Sequence, residues 1–87
     1  MHYNLTFSKG AQKDLELVKK SVLRGKVKEL LEILEINPFQ NPPPYEALKG
    51  NFKGLYSRRI NGQHRLVYTV DNFDVKVFSL WTHYENL

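Results

Sequence analysis

Apolar residues alternate at the start of the chain. Tyr3, Leu5 and Phe7 fall on one side and His2, Asn4 and Thr6 on the other, the period of a half-buried strand. Ser8 follows and is placed to cap a helix. The period then lengthens: Ala11, Leu15, Val18 and Val22 recur at helical spacing with Lys, Asp and Glu between them. A second helical stripe carries Leu23, Val27, Leu30, Leu31 and Leu34. The boundary between the two helices falls around Ser21 to Gly25. The second helix stops before Asn37-Pro38, because proline disfavours a helical residue ahead of it. Two amphipathic helices with a short link predict an antiparallel hairpin.

Asn37 to Pro44 holds all four prolines of the chain and reads as a stiff connector, neither helix nor central strand. After it the pattern is strand-like. Leu55–Ile60 and His64–Val70 flank Asn61-Gly62, a strong hairpin signal. Asp71 to Asp74 is a turn, and Val75 to about Thr82 is a third strand. The expected fold is α+β: an N-terminal strand, a two-helix hairpin, then a three-stranded antiparallel meander, with the helices on one face of the sheet. The opposite face is free to be polar. At 87 residues the chain is expected to form a single domain spanning 1–87.

Composition adds exclusions. There is no cysteine, hence no disulfide framework, thiol nucleophile or thiolate zinc site. No signal peptide is expected at the N-terminus, and no apolar run approaches the ~18 residues of a membrane span. A cytoplasmic location without membrane contact is the expectation.

The net charge of +4 is unevenly distributed. Met1 to Glu46 is nearly balanced. Ala47 to Val70 holds Lys49, Lys53, Arg58, Arg59 and Arg65 with no acidic residue, and the remainder is net acidic. A positive run of this kind favours a polyanion, most simply nucleic acid.

The chemistry-bearing residues are Glu46, Lys49, Arg58, Arg59, His64, Arg65, His83 and Tyr84. No phosphate-binding glycine loop is present and the histidines lack metal-ligand spacing, so neither a metal nor another cofactor is expected. Metal-free RNA cleavage needs a base for the 2′-hydroxyl, cations for the phosphorane, an acid for the leaving 5′-oxygen and an aromatic group to hold a base. These residue types match those needs. Strand parity puts Arg65 with Val67 and Thr69, away from the mostly apolar set His64, Leu66, Tyr68 and Val70. Parity alone leaves open whether Arg58 or Arg59 joins it. A lone histidine in a strand, such as His64, reads first as structural.

Leu48 to Val70, LKGNFKGLYSRRINGQHRLVYTV, followed by His83-Tyr84, resembles the YoeB/Txe family of bacterial toxins within the RelE superfamily. The resemblance covers essentially the whole chain. It implies a RelE-like fold and a toxin of a type II toxin–antitoxin system, a ribosome-dependent endoribonuclease that cuts mRNA in the A site by 2′-hydroxyl attack. By position in the motif it implies Glu46 as general base, Arg65 as phosphate stabiliser, His83 as general acid and Tyr84 as the terminal aromatic. Lys49 and Arg59 match supporting basic positions, and Arg58 and Lys53 stand as further substrate-binding candidates.

Implied partners are the ribosome with mRNA, a YefM-like antitoxin that folds on binding, and operator DNA through the antitoxin complex; homodimerisation is left open. The alternative is a toxin of the same fold that inhibits a protein such as DNA gyrase without catalysis. The chain departs from the family pattern at Glu85-Asn86-Leu87, which extend past the terminal pair. It departs also at Trp81, where a basic residue is common, and at Gln63, where Glu is frequent.

Overall fold

A computed structural model describes residues 2–81. Its elements are β1 (Asn4–Phe7), α1 (Lys9–Lys19), α2 (Arg24–Ile36), β2 (Glu46–Ala47), a single 3₁₀ turn (Gly50–Phe52), β3 (Tyr56–Arg59), β4 (Arg65–Asp71) and β5 (Asp74–Ser79). The strands form one sheet in the order β1-β5-β4-β3-β2. β1 lies parallel to β5, and every other pairing is antiparallel.

The α+β architecture agrees with the sequence pattern, with one strand more than the pattern predicts. β2 is only two residues long and pairs Glu46 with Ser57 and Ala47 with Tyr56. Nothing in a two-residue segment after prolines can show periodicity, so its pairing is invisible until β3 is placed beside it.

Ser8 does cap α1. Its hydroxyl accepts from the Ala11 N–H and donates to the Phe78 carbonyl, tying the helix start to the end of β5. Val22, predicted on the apolar stripe of the first helix, is 99% exposed. α1 ends at Lys19, and Ser21 Oγ accepts from the Leu23 N–H in the link, which turns Val22 outward.

The Asn61-Gly62 hairpin forms, but its turn is built by the asparagine side chain. Asn61 Oδ1 accepts from the N–H groups of Gln63 and His64, at 2.9 and 2.6 Å, and Arg59 faces Arg65 as the last pair. The tight two-residue turn lies instead between β4 and β5, where Asn72 takes a left-handed φ of 54° and Asp71 faces Asp74.

The helices cover one face of the sheet. Ala11, Val18, Val27, Leu30 and Leu34 pack with Leu66, Tyr68, Val75, Val77 and Leu80, all at most 1% exposed. Burying such side chains stabilises by about 1.5–3 kcal/mol each relative to exposure.

Tyr68 reaches from this layer to the proline connector: its hydroxyl donates to the Pro38 carbonyl at 2.8 Å. Burial pushes its phenol up from 10 to about 12, outweighing the nearby positive charge of Arg58. Above pH 10 the unfolded chain releases this proton while the folded chain keeps it, so stability falls as pH rises toward 12. Urea unfolding of the native chain is expected to lose about 1.4 kcal/mol per pH unit more than Tyr68→Phe in that window. Equal slopes for the two proteins contradict the shift.

Candidate active site

The site is laid out by register. Residues directly opposite on neighbouring strands project to the same face. Glu46 faces Ser57, Ser57 faces Val67, and Arg59 faces Arg65. Glu46, Ser57, Arg59 and Arg65 therefore share the face away from the helices. The same register sends Arg58, opposite Leu66, to the helix side. The question that parity left open is resolved: Arg59 accompanies Arg65.

The Arg65 guanidinium is the centre of the arrangement. Its Nη1 donates to Glu46 Oε1 at 2.9 Å and to Ser57 Oγ at 2.7 Å. The Arg65 side chain is 17% exposed and the Glu46 side chain 53%. Such a half-exposed ion pair adds little to stability; its value lies in placement. Ser57 is buried in a strand paired on both sides, so it is a fixed support, while Glu46 stands on the short edge strand. Around them Pro44, Tyr45, Glu46, Ser57, Arg59 and Arg65 line a cleft of about 380 Å³. A carboxylate, a guanidinium and a second exposed arginine on one open face can accept a proton and bind a phosphate at adjacent points.

Other candidates lie elsewhere. Arg58, expected to bind substrate, is 1% exposed and committed to the fold. Nη1 donates to the Pro43 carbonyl at 2.6 Å, and Nη2 to the carbonyls of Pro38 and Gln40 at 3.0 and 2.8 Å. Its guanidinium carbon also sits 5.1 Å from the centre of the Tyr45 ring. The run of prolines leaves carbonyls with few backbone donors, and Arg58 supplies them. Lys49 and Lys53 are exposed and line a separate depression around the 3₁₀ turn, with Gly50, Gly54 and Tyr56. His64 is buried, as its structural reading expects. His83 and Tyr84 lie outside the described residues.

Ser57, which the list of chemistry-bearing residues omitted, contacts Arg65 directly. Alternation along β3 already placed it on the side of Arg59; only the β2–β3–β4 register shows that this is also the side of Glu46 and Arg65. Among the described residues, no group of three His, Cys, Asp or Glu side chains could hold a metal ion.

Comparison with known proteins places this geometry. A family model described as the YoeB-like toxin of bacterial type II toxin–antitoxin systems matches residues 7–84. The chain is similar to toxin YoeB of Synechocystis, 38% identical over 74 residues, covering 85% of this chain and 79% of that one. Among solved structures it resembles YoeB of Staphylococcus aureus, both in a heterotetrameric YoeB–YefM complex and as a YoeB dimer. Both are 39% identical and cover 97% of this chain and all of the other, with TM-scores of 0.81 and 0.82. With motif, fold and relatives in agreement, the chain belongs to the YoeB-like toxins of bacterial type II toxin–antitoxin systems, within the RelE superfamily.

Proposed function

We propose that this toxin is a metal-independent endoribonuclease that cuts mRNA in the ribosomal A site. The observation that carries the reading is the Glu46–Arg65–Ser57 constellation on an open, basic sheet face. Glu46 accepts the proton of the 2′-hydroxyl, and that oxygen attacks the adjacent phosphorus. Arg65 and Arg59 stabilise the charge that builds on the phosphorane oxygens. His83 gives its proton to the departing 5′-oxygen, leaving a 2′,3′-cyclic phosphate and a 5′-hydroxyl end. Tyr84 assists in placing the substrate, and Lys49 and Lys53 extend the positive surface for flanking phosphates.

The ion pair has a functional corollary. A phosphate arriving at Arg65 competes with the Glu46 carboxylate for the same guanidinium, and a displaced carboxylate is free to take a proton. Substrate binding and release of the base are then one event.

The partners follow from the same reading: a ribosome that presents the mRNA, and a YefM-like antitoxin whose folding segment meets the basic face. The antitoxin complex in turn binds operator DNA. The S. aureus relatives support both an antitoxin-bound and a dimeric state. A toxin acting on ribosomes works in the cytoplasm; among the described residues no helix is long and apolar enough to cross a membrane.

The test is translation in extract with a reporter mRNA mapped by primer extension. Ribosome-dependent cuts are expected with the native chain. Glu46→Gln is expected to lower their rate by about 10²–10⁴-fold, the usual worth of a general base. Intact mRNA in the presence of ribosomes overturns the reading. Undiminished growth inhibition by Glu46→Ala and His83→Ala points instead to a protein target.

A further inference from the structure

His64 and Trp81 lie outside the cleft, and the proposed chemistry leaves both unused. Their rings stack, with centroids 4.3 Å apart and planes 21° from parallel. His64 is itself held in place. Its N–H donates to Asn61 Oδ1, and its carbonyl accepts from the N–H groups of Ile60 and Asn61 at 3.0 and 3.3 Å. Its buried Nδ1 has no hydrogen-bond partner among the described residues. The ring presents its flat face to Trp81.

The chain path explains why that surface matters. The last ladder pair between β4 and β5 is Val67 with Ser79. Past it, other elements take over. The Leu80 N–H donates to Asp14 Oδ2 on α1 at 2.9 Å, the Leu80 side chain is fully buried, and the Trp81 indole lies on His64. In sequence His83 is two residues further on, and Arg65 directly follows His64.

We propose that the His64–Trp81 stack, seconded by the Asp14–Leu80 bond, is a clasp. It fixes the point from which the chain continues to His83 and ties that point to the strand carrying Arg65. His64 and Trp81 are thus positioning residues for the general acid. The inference rests on the reading of His83 as that acid. It also gives Trp81 a purpose: it offers a ring to the chain's own histidine.

The experiment is cleavage kinetics of the full chain on programmed ribosomes. His64→Ala and Trp81→Ala are expected to lower kcat by about 10–100-fold, the scale of a small misplacement of a reacting group. KM is expected to move less than about twofold, because substrate binding is untouched. His64→Phe keeps the stack and is expected to keep most of the rate. The double alanine variant is expected to be no worse than the poorer single one, because both remove the same contact.

A second readout is independent of activity: the NMR signals of the His64 ring protons are expected to shift on Trp81→Ala, as the indole ring current is lost. Unchanged kcat in both alanine variants overturns the clasp. So does a loss in His64→Phe equal to that in His64→Ala, which would place the effect in the imidazole nitrogens. If His83→Ala cleaves normally, the acid assignment falls and the clasp with it. If His83→Ala is inactive while His64→Ala is not, the clasp alone falls.

Discussion

Arg65→Ala is expected to reduce mRNA cleavage by at least about 100-fold while leaving the fold intact. The magnitude is that of removing one fixed donor from a site where negative charge develops. The fold survives because the guanidinium reaches the open face and the core lies on the other side of the sheet. Its ion pair is half exposed on the Glu46 side, so its loss costs at most about 1 kcal/mol.

Arg65→Lys is expected to recover only part of the rate. A single ammonium keeps the charge but loses the planar fork that serves Ser57 and a phosphate at once. Single-turnover cleavage on programmed ribosomes, with urea unfolding as control, separates chemistry from stability. Cleavage within threefold of the native rate in Arg65→Ala removes the phosphate-stabilising role.

Seven positions earlier in the chain, the expected result inverts. Arg58→Ala is predicted to cost about 3–5 kcal/mol of stability, a large share of what an 87-residue chain has. The carbonyls of Pro38, Gln40 and Pro43 lose the Arg58 guanidinium together, and the buried side chain leaves a void beneath Tyr45. Lysine is a poor substitute, because one ammonium cannot span three acceptors in the guanidinium geometry.

The loss is also expected to reach the site by an indirect route. The connector that Arg58 fastens leads directly into Pro44, Tyr45 and Glu46, which line the cleft. Equilibrium urea unfolding checks the first effect. Cleavage by the remaining folded fraction checks the second. A denaturation midpoint equal to that of the native chain contradicts the structural role.

The contrast between the adjacent Arg58 and Arg59 marks what could be read from the sequence. Periodicity gave β1, both helices, β4 and β5, because each repeats a pattern, and the Asn61-Gly62 signal set β3 before the turn. It gave the side of Arg65, because the apolar set opposite it is long. It could not divide Arg58 from Arg59, since a strand of four residues with two arginines has no apolar stripe to orient it. Register divides them, and register depends on β2, whose two residues carry no period. The motif matched Arg59 to a supporting basic position, and Arg58 stood beside it as a further substrate-binding candidate. Packing makes one the fastener of a proline segment and the other a cleft residue. Ser57 escaped notice because a hydroxyl becomes functional only through its neighbours.

The parallel pairing of β1 with β5 carries a consequence for the timing of synthesis. β1 is made before the other four strands, yet among the described residues its strand partner is β5, the last of the five. Helix α1 packs chiefly against β5, and the hydrophobic layer under the cleft needs Val75, Val77 and Leu80 from the same late region. Contacts so distant in sequence form only after the intervening chain is free. While the chain is still being made, the sheet lacks the strand that unites its halves, and the cleft has no rigid floor. A ribosome translating this message is therefore expected to have made all five of the described strands before the product becomes competent to cut.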